Sequence, residues 1–516
     1  MKNAEKSAPM YFASLEIENV KCFGEKQILD LRNSKGALSR WTLILGDNGV
    51  GKTTLLKCLA WMKPVETPEK EEVKIAKKLK AEGIENSIIT KATGLSSEEI
   101  ENIENKENKI IIKPFMDDFD DEQAYEQLIR VGNDVKTRIG ATFTNDISLD
   151  EIPTVEKLVS IGIAFERKNN KLEVVTPEFG KLSQFNSPNL YAYSASRHMA
   201  LKNFEKTELR DPISNLFSES ADLYDAEQVL SNLDYSSIRE KIEFEEKKTK
   251  DGKSLLTHEN IEKVQTSVEG KATALLSKVK LILKDLLLDI NGPDWIIINP
   301  PLNKDGTKTE NLVEIQTPYG RVSLYDLSLG YKTMLAWAVD LALRMLWRNP
   351  ESLKPLEQPA VVIVDEIDLH LHPKWQRIVR GYLTKHFANT QFICTAHSPF
   401  MAQSSEQENL CVLNRVGDEV QIQNSPTIVQ GWRIGQVITN LFGVSERSPE
   451  IDALINKRRI ILDKKERTSE DDLELKDLDE KLSSLPIMIN DNENDLQLLD
   501  QINKMAELLK TKGGLK

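Results

Sequence analysis

Nine consecutive residues, Gly46-Asp47-Asn48-Gly49-Val50-Gly51-Lys52-Thr53-Thr54, combine glycines, a lysine and adjacent hydroxyls at a spacing suited to phosphate. The glycines let successive backbone N–H groups turn toward an anion. Lys52 adds a positive charge, and the Thr53 hydroxyl can ligate a Mg²⁺ that bridges phosphate oxygens. The apolar runs Trp41-Thr42-Leu43-Ile44-Leu45 before the loop and Leu55-Leu56-Lys57-Cys58-Leu59-Ala60 after it supply the strand and helix that such a loop needs. The segment therefore reads as a P-loop and predicts nucleotide binding.

Three further segments carry residues that complement a bound phosphate. Pro359 to Glu366 is an apolar, β-branched run ending in two carboxylates, the pattern of a buried parallel strand delivering acids at its C-terminal edge. Asp365 is placed to hold Mg²⁺ through water and Glu366 to polarise the water that attacks the γ-phosphate; an ordinary buried strand with a surface acid pair is the alternative. Ser328, 37 residues before Asp365, and Gly330 open an apolar helix over Thr333 to Leu346. A serine hydroxyl and a glycine N–H at a helix N-terminus make an anion site, which can complete the coordination of a γ-phosphate held by another subunit; a plain N-cap is the alternative. Gln391 to Pro399 reads as a strand ending in His397, 32 residues beyond Asp365. Between these, Asp368-Leu369-His370-Leu371-His372-Pro373 could offer a metal pair, but Pro373 at a helix N1 fits a turn better.

The elements that must position these residues are legible as periodicities. Residues 10–31 alternate apolar and polar on both sides of Gly24, which predicts a half-buried strand pair. From Pro64 to about Glu126 the chain is rich in Lys and Glu, with a capping-box signature at Ser96 and Glu99, and reads as an exposed helical insertion. Strand alternation returns over Arg138–Phe143, Val159–Phe165 and Leu172–Val175, so the insertion interrupts a sheet lobe. Residues 201–291 carry helical patterning, an α-helical arm, followed by strands at Trp295–Ile298 and Leu312–Ile315. After Arg447 the remaining 69 residues are charged and helical, without a sustained heptad.

Bulk properties narrow the function classes. Among 516 residues, 68 Lys and Arg face 81 Asp and Glu, so the net charge of −13 argues against a globally basic nucleic-acid binder and leaves only a local groove for DNA. Cys22, Cys58, Cys394 and Cys411 lack CxxC spacing and read as reduced core thiols, which points to the cytoplasm. No apolar run follows the first residues, and Asp340 and Arg344 interrupt the longest apolar helix, Met334 to Trp347. Neither a signal peptide nor a membrane span is expected.

Taken together with the strand pair ending in Asn19-Val20-Lys21-Cys22-Phe23, these motifs resemble the soluble ABC-type ATPases of the RecF, SMC and OLD group. Asp326-Leu327-Ser328-Leu329-Gly330 looks like the ABC signature, His397 resembles the switch histidine that contacts the γ-phosphate, and Asp368 to Pro373 matches the D-loop. The Asp365-Glu366 segment with its His-Leu-His is similar to stand-alone bacterial ATPases encoded beside nucleases in antiphage systems such as Septu. The resemblance implies an α/β fold: a P-loop ATPase head in two lobes, with a mixed sheet, an antiparallel β subdomain, helical insertions and a helical tail. It also implies a head-to-head dimer with two ATPs sandwiched between the P-loop of one chain and the signature of the other. The corresponding boundaries are lobe I at 1–63, a charged insertion at 64–127, a β subdomain at 128–200, a helical arm at 201–290, lobe II at 291–446 and a tail at 447–516.

One expected residue, the Q-loop glutamine, has no assigned position; Ser196 and Arg197 stand where that loop belongs. Arg197 reads equally as a phosphate contact or a surface arginine, and Lys21 occupies a position where the group places a basic residue near the nucleotide. The favoured reading is an ATP-switched regulator or scaffold of a partner nuclease or toxin. A DNA-clamping repair ATPase is the second. An OLD-type nuclease is disfavoured because the acidic cluster Asp491, Glu493 and Asp495 reads as a solvated helix start. Leu473, Leu475, Leu478 and Leu482 in the tail suit either a partner or the chain's own head.

Overall fold

The computed structural model describes residues 10–66, 71–81, 83–96, 100, 110–112, 127–130, 136–144, 152–154, 157–168, 171–175, 187–197, 211–218, 223–251, 271–286, 295–300, 309, 312–350, 352, 354–404, 409–425, 431–464 and 467–484. The alternation before the glycine loop forms β1 (Tyr11–Glu18) and β2 (Gln27–Asp30), antiparallel with Leu15 opposite Leu29. The apolar run that follows is β3 (Trp41–Gly46), buried throughout, and it feeds the glycine loop and α1 (Lys52–Trp61). The charged segment holds β4 (Pro64–Glu66), α2 (Glu71–Ala81), α3 (Asn86–Thr93) and β5 (Ile110–Ile112). Glu99 of the expected capping box lies outside the described residues. Then come β6 (Thr137–Thr144), β7 (Leu158–Lys168), β8 (Lys171–Val175) and β9 (Leu190–Tyr193).

Helices α4 (Ser214–Phe217), α5 (Ala226–Asp251) and α6 (Lys271–Leu286) follow. The Glu240 carboxylate accepts from the N–H groups of Ala272 at 2.9 Å and Thr273 at 3.0 Å, so α5 satisfies orphan donors at the start of α6. A small antiparallel sheet of β10 (Ile296–Ile298), β11 (Val313–Thr317) and β12 (Gly320–Ser323) leads through a 3₁₀ turn into α7 (Leu329–Arg348). The remaining elements are β13 (Ala360–Val364), α8 (Pro373–His386), β14 (Thr390–Ala396), α9 (Pro399–Gln403), β15 (Asn409–Val416), β16 (Glu419–Ser425), α10 (Ile434–Leu441), α11 (Pro449–Leu462) and α12 (Ser469–Ser483).

Two sheets organise the first of two compact units, 1–437 and 438–516. The central sheet has the order β16-β15-β3-β14-β13-β9, parallel from β15 to β9 and closed by antiparallel β16. Strands β13 and β14 are buried along their whole length, which is why they read as continuous apolar runs rather than alternations. The second sheet, β2-β1-β6-β7-β8, is antiparallel, and its β1–β6 pairing spans the charged segment between them in sequence. Gln391 on β14 stitches the sheets together. Its buried amide accepts from Phe12 N–H at 3.0 Å and donates to Phe12 O at 2.8 Å, where a register shift breaks the β1–β6 ladder.

Helix α7 is buried without interruption from Thr333 to Leu343, including Asp340 at 0% exposure. That carboxylate accepts from Arg344 Nε at 2.7 Å, from the Tyr193 hydroxyl at 2.8 Å and from Tyr224 N–H at 3.3 Å. The two charges that interrupt the apolar run are therefore an i,i+4 pair tying α7 to β9. Among the described residues no helix is long and apolar enough to cross a membrane. In the second unit, Ser448 caps α11, and Thr468 with Asp471 forms a capping box on α12. Leu478 is buried there and Leu473 is 70% exposed, while residues 491–495 lie outside the described residues.

Removing one partner of the Asp340–Arg344 pair leaves an uncompensated buried charge. Asp340→Ala is expected to cost about 3–5 kcal/mol of unfolding free energy, measured by denaturant titration; a loss below about 1 kcal/mol, the scale of an exposed pair, would contradict it.

Candidate nucleotide site

The glycine loop sits where β3 ends, and its backbone explains its composition. Gly49 and Gly51 have φ of 78° and 87°, in the left-handed region, and a Cβ on Gly51 would lie 2.6 Å from Cys22 Sγ and 2.8 Å from the Phe23 ring. Asp47, Asn48 and Gly49 are exposed at the loop tip, while Val50 is buried. The Cys22 thiol donates to Val50 O at 3.6 Å, so the β1–β2 turn supports the loop from beneath. Lys21, in that turn, adopts φ 47° and is exposed, with its N–H donating to Leu128 O.

Lys52 is buried and folds back over the loop, donating to Gly46 O at 2.9 Å and Asp47 O at 2.8 Å. Burial pulls its ammonium below the ordinary lysine value, opposed by the nearby carboxylates of Asp365, Glu366, Asp368 and Asp47. The Thr53 hydroxyl donates to Asp365 Oδ2 at 2.6 Å, joining residues 312 positions apart in sequence. The other oxygen, Asp365 Oδ1, accepts from the Thr395 hydroxyl at 2.5 Å, and the same Thr395 oxygen accepts Glu366 N–H at 2.7 Å.

Glu366 is half-buried and left-handed at φ 45°. His397 follows β14; its N–H donates to Asp368 Oδ2 at 3.0 Å, and its Nε2 is buried with no hydrogen-bond partner among the described residues. The structure thus gathers Gly46 to Thr54, Asp365, Glu366 and His397 at the C-terminal edge of β3, β14 and β13, where open α/β sheets bind ligands. A hydroxyl beside a carboxylate, a glycine cradle and an orphaned imidazole nitrogen form a donor set that suits a nucleotide phosphate with Mg²⁺.

Ser328 and Gly330 are elsewhere. They line a cavity of about 320 Å³ with His370, Leu371, His372 and Trp375, and no residue of the glycine loop lines it. Ser328 takes the N-cap position of α7, yet its hydroxyl makes no capping hydrogen bond, so the plain N-cap alternative lacks its bond. Gly330 is needed for close approach, since a Cβ there would sit 2.3 Å from His370 O. His372 caps α8, its Nδ1 accepting from Lys374 N–H at 3.2 Å, with Pro373 at the start of the helix.

Two further residues bear on the site. Thr395 is a hydroxyl buried inside an apolar strand, and a buried hydroxyl must find a partner. Arg197 is 2% exposed, which overturns its reading as a surface arginine. Its Nη1 donates to Ser194 O at 3.0 Å and to Asp365 O, and its Nη2 to Glu366 O at 2.9 Å, so both terminal nitrogens are spent on backbone carbonyls, while its buried Nε has no partner among the described residues. Burial lowers its value to about 10, with Asp365 the main opposing charge.

A glycine cradle closed by a strand-end acid pair defines a P-loop nucleotide hydrolase. The chain belongs to the AAA_15 family, described as an AAA ATPase domain, whose model matches residues 10–402. It is similar to a retron Vc95 probable ATPase of Vibrio cholerae, 23% identical over 471 residues, covering 86% of this chain and 83% of that protein. A retron Ec83 probable ATPase of Escherichia coli is 41% identical over 129 residues, 25% of this chain and 23% of that protein. The Septu protein PtuA of Bacillus mycoides is 30% identical over 165 residues, 31% of this chain and 22% of that protein. The chain thus spans less than a quarter of these last two relatives.

Thr395→Val preserves shape but removes the donor to Asp365 and the acceptor for Glu366 N–H. Leaving these buried groups unsatisfied is expected to cost about 1–3 kcal/mol of stability in denaturant titration; an unchanged midpoint would show that the hydroxyl does not hold the acid pair.

Proposed function

We propose that the chain is an ATP hydrolase that dimerises around nucleotide and controls a partner effector in antiphage defence. The observation that carries the ATPase reading is the Thr53–Asp365 contact, which brings the glycine loop and the strand-end acids into one site. Backbone N–H groups of Gly46 to Thr54 and the Lys52 ammonium bind and orient the β- and γ-phosphates. Thr53 and Asp365 hold Mg²⁺, which neutralises phosphate charge when bound. Glu366 takes a proton from the attacking water, and His397, with its unpartnered Nε2, faces the γ-phosphate.

Separation of Ser328 and Gly330 from the glycine loop supports a composite site, in which these residues complete the phosphate coordination of a second chain. Similarity to the retron ATPases and to the Septu protein PtuA supports a role in antiphage defence. Output then comes from a co-encoded nuclease or toxin docked on parts the ATPase core does not need: the 64–127 insertion, the 201–290 arm or the 447–516 tail, where Leu473 is exposed. Four free cysteines support a reducing compartment, the cytoplasm. DNA clamping remains the second reading only in so far as duplex binding proves salt-dependent.

Lys52→Ala is expected to abolish ATP binding and turnover. Glu366→Gln should retain binding and slow hydrolysis by about 10²–10⁴-fold, and turnover at the wild-type rate would refute the role of Glu366. Mixing a Lys52→Ala chain with a Ser328→Arg chain should restore partial activity through one intact site per heterodimer; verified heterodimers without activity would refute the shared site.

A further inference from the structure

We infer that Arg197 is a positioning residue for hydrolysis, one that fixes the successive backbone carbonyls of Asp365 and Glu366 so that the two carboxylates keep their separate aims. This rests on the ATPase reading above. Where β13 ends, Asp365 N–H still donates to Tyr193 O at 2.8 Å, continuing the ladder with β9. One residue later the chain leaves the strand with Glu366 left-handed at φ 45°, a conformation a side-chain-bearing residue keeps only when its surroundings over-determine it.

Two neighbouring strands supply those surroundings. Thr395 Oγ1 accepts Glu366 N–H, and Ile367 N–H donates to Thr395 O at 2.9 Å, so β14 holds the turn from one side. Arg197 holds it from the other, with the carbonyls of Asp365 and Glu366 on its two terminal nitrogens. The Nη1 bond to Ser194 O ties the same guanidinium to the end of β9. A planar fork can bridge successive carbonyls in this way, whereas a lysine ammonium, a point donor on a flexible stem, cannot fix both directions. With both terminal nitrogens donating to backbone carbonyls and the residue 2% exposed, Arg197 acts on the reaction through the acids it holds.

The test compares full-length wild type, Arg197→Met and Arg197→Lys in steady-state ATP turnover, in ATPγS binding and in binding of ADP–aluminium fluoride, a mimic of the transferring phosphoryl group. Misplacement of a reacting group by about 1 Å costs on the order of 10²-fold, so Arg197→Met should lose roughly that factor in kcat. Its KM and ATPγS affinity should stay within about twofold of wild type, while its affinity for ADP–aluminium fluoride falls in step with kcat. Arg197→Lys should recover part of kcat. Wild-type kcat in Arg197→Met, or a loss confined to KM and ATPγS affinity, would overturn the inference. Should Arg197→Met fail to fold, Arg197→Lys decides: lowered kcat at unchanged KM supports the inference, and wild-type kcat overturns it. Wild-type protein without Lys52-dependent turnover would instead overturn the ATPase reading, and the inference with it.

Discussion

Every feature of the site depends on how one carboxylate is held. Asp365 accepts a hydroxyl proton at each oxygen, Thr53 from the glycine loop and Thr395 from β14. Its own N–H and C=O are fixed by Tyr193 and Arg197. This arrangement requires the strand order of the central sheet. With β14 between β3 and β13, the loop after β3 and the acids after β13 share one edge, and the intervening strand supplies the hydroxyl that spaces them. A carboxylate so close to buried apolar strands persists because its partners compensate its desolvation.

Strand β9 links that edge to the rest of the head. Tyr193 pairs with β13 through its backbone and with Asp340 of α7 through its hydroxyl. The residues just after it, Ser194 to Arg197, reach the acid turn. The helix that begins with Ser328 and Gly330 is thus anchored to the same strand that ends beside Asp365 and Glu366. Gly330 in turn packs against His370 in the turn that follows those acids.

Much of this was legible in the sequence because the physics is local. Glycines needed at positive φ, a lysine and a hydroxyl must stand at fixed spacing around one phosphate, so Gly46 to Thr54 is visible without any partner. The β1–β2 alternation and the apolar run of β13 follow from burial on one face or two. What escaped was set by distant partners. Arg197 follows Ser194-Ala195-Ser196, which gives no sign of burial, and two of its acceptors are backbone carbonyls 168 and 169 positions away, which no side-chain pattern announces. Asp340 and Arg344 looked like interruptions of an apolar helix, yet their i,i+4 spacing and opposite charge held the signal of a buried pair.

The central claim is that Thr53 and Asp365 form the metal-binding half of a nucleotide site. Electron paramagnetic resonance of Mn²⁺ in place of Mg²⁺ tests it most directly. With ATPγS present, wild-type protein is expected to immobilise Mn²⁺, and Thr53→Val and Asp365→Asn should each abolish that signal while the protein remains folded. Immobilised Mn²⁺ undiminished in both variants would contradict the account.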